Sequence, residues 1–178
     1  SYNKFNDDFL KLLSTILNKL PNVLLFFRNR EYIYELLKNN LISSLEKYNC
    51  DLKRVNISYF RKQKDFYNFY RNIDIVLDTF PYGGCTTIFQ SLIMSTPVVT
   101  LVGNKWSSRY GLSYLKHLKL DELIAYNKDE YINIVFNLVN NKNKLNYYHN
   151  NLRKLLLKHP MCNYKEFMKE YELIFSKL

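Results

Sequence analysis

The sequence predicts an α/β fold: a single Rossmann-like open parallel sheet with helices on both faces, ending in a run of helices. Three observations predict it. Short continuous apolar runs, VLLFF at 23–27, IDIVLD at 73–78 and PVVTLV at 97–102, have the length and pattern of strands covered on both faces. Between them lie stretches whose apolar residues recur at helical spacing. Strands alternating with helices of this length call for parallel pairing through right-handed crossovers.

Asp7 or Asp8 caps a first helix whose apolar face is Phe9, Leu12, Leu13, Ile16 and Leu17, and Pro21 and Asn22 stop it. The strand at 23–27 comes next, then a helix through Tyr32, Leu36, Leu37 and Leu41 to about Tyr48. Val55 to Tyr59 reads as a weaker strand, and Phe66, Phe69 and Tyr70 mark a short helix before 73–78, the clearest buried strand in the chain. A helix from Thr86 to Met94, the strand at 97–102, a helix from Ser107 to Leu118 and a small edge strand at Leu123 to Ala125 complete the alternating part. Asn127 or Asp129 caps the helix carrying Tyr131, Ile134, Val135, Leu138 and Val139, and helices at 143–158 and 164–178 come after it with no further strand.

The 178 residues suit one domain spanning 1–178. Hydrophobic residues at 47% and charged residues at 24% are the balance of a folded soluble protein. No apolar stretch approaches the ~20 residues that cross a bilayer, and the opening SYNKFNDDFL has no signal-peptide pattern, so no membrane partner is expected. Cys50, Cys85 and Cys162 form an odd set without CxxC spacing, which points to neither a disulfide framework nor a zinc site and fits a cytoplasmic or nuclear setting. The formal charge of +10 raises nucleic acid as a partner. The lysines are scattered, however, and no basic stripe with interleaved aromatics forms on one element, so that reading is disfavoured. His117, His149 and His159 lack metal-ligand spacing and read as surface or partly packed residues.

Chemistry concentrates in LDTFPYGGCTTIFQ at 77–90, at the carboxyl end of a predicted parallel strand, where ligands of such sheets bind. Gly83 and Gly84 permit positive φ and bring backbone close to a ligand. Thr86 and Thr87 start a helix whose first N–H groups lack intrahelical partners and sit at the positive end of the macrodipole. Together these suit phosphate oxygens; a tight strand-to-helix turn with a threonine cap and no ligand uses the same residues. Neither GxGxxG nor GxxxxGK[ST] is present.

LDTFPYGGCTTIFQSLIMSTPVVTL at 77–101 resembles the donor-binding stretch of the O-GlcNAc transferase and SPINDLY family, protein O-glycosyltransferases of the GT-B type. The likeness continues through SSRYGLSYLKHLKLDELIAYNKDEYI at 107–132 and, upstream, NKFNDDFLKLLSTILNKLPN at 3–22, so it spans nearly the whole chain in one register. HPMCN at 159–163 leans towards the SPINDLY branch.

The resemblance implies an inverting enzyme that moves GlcNAc from UDP-GlcNAc, or fucose from GDP-fucose, to Ser or Thr hydroxyls of proteins; it admits both donors. It implies no metal, since no DxD occurs and protein groups must meet the charge of the departing diphosphate. Lys4 aligns with the family lysine on that diphosphate and is the catalytic candidate; without the family it is a solvated lysine near a frayed end. Cys85, Thr86 and Thr87, after Gly83 and Gly84, match the tripeptide that holds the β-phosphate. Cys85 stands where relatives carry His, Thr or Gly and reads as a packed, inert thiol. Gln90 stands where relatives bind the ribose with Asp or Glu, keeping an acceptor but losing the charge. Phe66 aligns with a histidine beside the nucleotide and keeps the stacking face, while Tyr59 to Gln63 departs from the uridine-specific pattern. Arg109 fits the family's SRxG and makes structural contacts by default.

A GT-B enzyme closes two α/β halves over its site, so the resemblance implies that this is the C-terminal, donor-binding half of a longer enzyme. The partner half, with the base and acceptor groove, and the TPR repeats lie elsewhere in that protein, and the terminal helix at 164–178 packs on the missing half. The replacements at Cys85, Gln90 and Phe66 support a second reading, a non-catalytic α/β interaction or scaffold module that kept the half-fold.

Overall fold

The computed structural model describes residues 4–176. Leu178, the last residue of the predicted helix at 164–178, lies outside them. Among the described residues, eight helices and five strands alternate in the predicted order: α1 (Asp7–Lys19), β1 (Leu25–Arg28), α2 (Glu35–Glu46), β2 (Val55–Ser58), α3 (Gln63–Phe69), β3 (Val76–Leu77), α4 (Thr86–Ile93), β4 (Val98–Leu101), α5 (Tyr110–His117), β5 (Ile124–Ala125), α6 (Lys128–Val139), α7 (Lys142–Lys158) and α8 (Tyr164–Phe175).

The strand pairs are parallel, and helices flank them, as expected. The ladders, however, form two groups rather than one sheet: β1 pairs with β2, and β3, β4 and β5 form a second ribbon. The β3–β4 ladder is held by the Val76 N–H on Pro97 O at 2.8 Å and the Asp78 N–H on Val99 O at 2.9 Å. Between the two groups, aromatic packing carries the core. Phe5 meets Phe27 of β1 edge-on at 5.3 Å and stacks on Phe9 at 5.9 Å, and Phe9 meets Phe80, just beyond β3, edge-on at 5.3 Å. IDIVLD thus supplies only two ladder residues, both half-buried. β4 is buried at Val98, Val99 and Thr100 and packs against α5 and α6.

Local chemistry explains the element ends. The cap of α1 is Asn6, whose side chain accepts the Phe9 N–H at 2.8 Å, rather than Asp7 or Asp8. The two acids occupy the first turn instead, where the macrodipole favours negative charge. One face of α1 is buried over Phe9, Leu10, Leu12, Leu13, Ile16 and Leu17, against α6 and α2. The predicted helix from Tyr32 to Tyr48 divides into a 3-10 turn at Arg30–Ile33 and α2. A 3-10 turn at Trp106–Ser108 likewise precedes α5, which starts at Tyr110 instead of Ser107. Asn127 caps α6 by accepting the Glu130 N–H at 2.8 Å, and the Glu130 carboxylate returns to the Asn127 amide and the Tyr126 N–H.

Two contacts yield tests. At Gly111 an added Cβ would fall inside contact distance of the Thr100 side chain, so α5 lies against β4 with no room for a methyl. Gly111→Ala is expected to destabilise the fold by roughly 1–3 kcal/mol, read by urea unfolding. In α8 no residue is buried, and Phe167, Leu173, Ile174 and Phe175 are all more than half exposed. Truncation after Asn163 should leave the melting temperature of the remaining chain unchanged; a fall of several degrees would mean that α8 supports the core.

Candidate functional site

The segment after β3 turns at 79–85 and enters α4. Asp78 ends the strand and is 6% exposed, and its carboxylate organises the turn. Oδ1 accepts the Gly84 N–H at 2.7 Å, and Oδ2 accepts the Thr100 hydroxyl of β4, also at 2.7 Å. Its own carbonyl accepts the Tyr131 hydroxyl from α6 at 3.0 Å. Burial pushes the Asp78 carboxyl up to about 6, against the Gly84 N–H, the Thr100 hydroxyl and the charge of Lys4, which all pull it down.

Closeness rather than handedness is what glycine supplies here, chiefly at Gly83. Neither Gly83 nor Gly84 has positive φ, contrary to the sequence expectation. A Cβ on Gly83 would stand 3.1 Å from Asp78 Oδ2, and one on Gly84 would stand 3.4 Å from Asp78 Oδ1. The turn is therefore drawn down onto a carboxylate. A further tie runs from the Gly83 N–H to Ser107 O at 3.2 Å.

Lys4, just ahead of α1, arrives at the same place. Its Nζ donates to Gly83 O at 3.0 Å and lies 4.4 Å from the centre of the Tyr82 ring. Partial burial pushes the ammonium below the ordinary lysine value, while the charges of Asp78 and Cys85 work in the opposite direction. Beyond it, Cys85 is the N-cap residue of α4 and provides no side-chain cap bond, so the helix opens with Thr86 and Thr87 as its first two residues. All three are exposed. A cation, a ring of exposed side chains and uncapped helix N–H groups thus converge at the carboxyl end of β3, an arrangement suited to phosphate oxygens.

Comparison with known proteins gives this arrangement a lineage. The family model of glycosyl transferase family 41 matches residues 2–171. The chain belongs to glycosyl transferase family 41. It is 31% identical over 176 residues to the probable UDP-N-acetylglucosamine–peptide N-acetylglucosaminyltransferase SPINDLY of Solanum lycopersicum, covering 98% of this chain and 19% of that protein. The Arabidopsis thaliana SPINDLY protein is also 31% identical, over 92% of this chain and 18% of its own length. Among solved structures, a mutant of the Thermobaculum terrenum O-GlcNAc transferase superposes with a TM-score of 0.89 at 29% identity, over 98% of this chain and 34% of that one. The chain therefore spans about a fifth of the length of the curated relatives that it matches.

In this family 41 chain the other predicted site residues form a flank along α3 and α4. Gln90 donates through Nε2 to the Tyr67 hydroxyl at 3.3 Å, and the next residue, Ser91, donates to the Tyr70 hydroxyl at 3.3 Å. Phe66 is half-buried among Phe60, Tyr67 and Tyr70, with ring centres 4.8, 5.6 and 5.3 Å away. Gln90 and Phe66 are thus linked through Tyr67, one strand-to-helix unit from the Gly83–Gly84 turn. Cys85 is not the packed thiol expected: it is exposed, with Sγ 3.7 Å from the Tyr114 hydroxyl of α5, because the tie to Asp78 turns Gly84 inward and the next residue outward. Arg109 donates to Gly103 O at 3.1 Å, the structural contact expected of it. His117 and His159 meet edge-on at 5.7 Å, and neither is buried.

Sequence reasoning missed Asp78, Thr100 and Tyr131, which hold the turn from beneath. The available signal was an acid closing an apolar strand immediately before a Gly-Gly turn. The elevated Asp78 value has a consequence for stability. The folded carboxyl, at about 6 against an ordinary 3.8, holds its proton more tightly than the unfolded chain does. Its contribution to stability is therefore fully present below about pH 4 and lost as pH rises through about 6. Asp78→Asn, which keeps the shape and removes the charge, should flatten that part of the stability curve, as measured by thermal melts from about pH 4.5 to about pH 7.5.

Proposed function

We propose that the chain is the nucleotide-sugar-binding half of an inverting, metal-independent protein O-glycosyltransferase. It takes UDP-GlcNAc or GDP-fucose as donor and Ser or Thr hydroxyls of proteins as acceptors. The observation that carries the reading is Lys4 Nζ held 3.0 Å from the Gly83 carbonyl, beside the exposed start of α4. In this reading the acceptor oxygen attacks the anomeric carbon as the bond to the diphosphate breaks. The electron pair leaves on the β-phosphate. Lys4 and the N–H groups and hydroxyls at Cys85, Thr86 and Thr87 meet that charge as it develops, without a cation from solution. Gln90 and Phe66 flank the nucleoside.

The names of the relatives support the reaction class, and the share of their length that this chain lacks supports a partner half of the same protein. The exposed apolar side chains of α8 are the surface on which that half rests: Phe167 and Tyr171 stack at 6.0 Å, and Phe175 lies 4.8 Å from Tyr171. The acceptor groove and the base that takes the hydroxyl proton belong to that other half, so this chain alone should bind nucleotide and transfer nothing. A cytoplasmic or nuclear site of action goes with this reading.

Calorimetric titration with UDP and GDP tests it. Binding of either nucleotide is expected. Lys4→Met should weaken binding by roughly ten- to hundredfold, the loss of one charge-assisted bond, and Thr87→Val by on the order of fivefold. Undiminished affinity in both variants would remove the phosphate site from this turn.

A further inference from the structure

The most deeply placed charged group near the turn is one that no feature of the reaction requires. Asp78 is buried beneath the Gly83–Gly84 backbone, with Oδ1 on the Gly84 N–H and Oδ2 on the Thr100 hydroxyl. The cation beside it is Lys4, whose amine is bonded to the neighbouring carbonyl of Gly83. A diphosphate arriving at this turn would bring its negative charges to within a few ångströms of a carboxylate that water cannot screen. Like charges so placed do not both persist when one of them can be neutralised.

We propose that Asp78 is a positioning residue of the donor turn and that it takes up one proton from solvent when the diphosphate binds, so that nucleotide affinity is linked to protonation of a buried carboxylate. The inference rests on the donor-site reading above. Its chemistry balances simply: a carboxylate and a solvent proton become a carboxylic acid, and no other bond changes. The geometry accommodates both states. As a carboxylate, Oδ2 accepts from the Thr100 hydroxyl; as an acid, it donates to the same oxygen, which rotates its own hydrogen away. Oδ1 accepts the Gly84 N–H in both, so the turn stays in place while the charge beneath it disappears.

The titratable and charged groups around Asp78 are few among the described residues. Lys4 approaches from the amino end, and Tyr131 reaches in from α6 with its phenol pushed far above the ordinary value by burial, so it stays protonated. Cys85 faces Lys4, with Tyr110 and Tyr114 of α5 beyond it. The polar group from β4 is the Thr100 hydroxyl. In the free protein Asp78, at about 6, is mostly ionised at neutral pH and lies close enough to its midpoint to be moved across it.

The test is UDP and GDP titration of the 178-residue chain at neutral pH in buffers of low and high ionisation enthalpy, which counts protons exchanged on binding. The terminal phosphate of UDP or GDP itself titrates near neutral pH, so the count is read as a difference: the wild-type chain is expected to take up on the order of half a proton more per nucleotide than Asp78→Asn. Equal proton counts in the wild type and in an Asp78→Asn variant that binds nucleotide overturn the inference while leaving the donor site standing. Absence of any nucleotide binding overturns both. Carboxyl-carbon NMR of the wild-type chain provides a reading that no variant's folding can confuse. The Asp78 resonance should titrate at higher pH with UDP bound, and an unmoved midpoint counts against the proposal.

Discussion

The arrangement of the turn depends on one buried carboxylate and the two hydrogen bonds that it accepts. Asp78 ties the backbone between β3 and α4 down through the Gly84 N–H, and a Cβ on Gly83 would crowd its carboxylate at 3.1 Å. With Asp78 in place, constraints propagate in both directions. Below, Thr100 must present a hydroxyl, and α5 must carry Gly111 where it crosses that hydroxyl. Above, Gly84 is held inward, so Cys85, Thr86 and Thr87 face solvent. Burying a charge is costly, and the elevated proton affinity of Asp78 records that cost. The fold tolerates it because the carboxylate is bonded on both oxygens and a cation stands nearby.

Lys4 reaches the turn from 79 residues away in sequence, and its placement is a packing result. Helix α1 is buried along one whole face, and its Phe9 sits edge-on against Phe80, inside the loop that Lys4 contacts. The same aromatic series, from Phe27 through Phe5 and Phe9 to Phe80, bridges the two ribbons where no backbone ladder joins them. One set of rings therefore aligns the strands and delivers the amine. The α1 N-cap bond from Asn6 fixes where the helix begins, and with it the reach of a side chain two residues earlier.

Much of this was legible in the sequence because periodicity reports burial. The order of strands and helices comes from apolar runs and helical stripes, and the turn at 83–87 stands out by its glycines. The boundaries were less legible because they depend on which polar group wins a local competition. Asn6 outcompeted Asp7 and Asp8 as cap, and residues before α2 and α5 tightened into 3-10 turns. The length of β3 was misjudged because an apolar run states that a segment is covered, not that its backbone groups find partners on both sides. The reason for the glycines differs too: glycine read alone suggests positive φ, whereas the acid that closes the strand a few residues earlier is what draws the turn in. Lys4 could be selected only through the family resemblance: a lone lysine near an end carries no signal of its own.

The last helix has a different relation to the rest. A 12-residue helix with no buried residue gains almost nothing from the body to which it is attached, and helices of that length are marginal in water when they stand alone. Its order is then borrowed from whatever surface covers it. Left uncovered, α8 would fray and reseal far faster than the core opens, offering proteases the peptide bonds around Tyr164 to Phe175 long before those of the strands. Resistance of that segment to digestion would thus be conferred by whatever surface covers it, from outside the domain to which the helix is covalently joined.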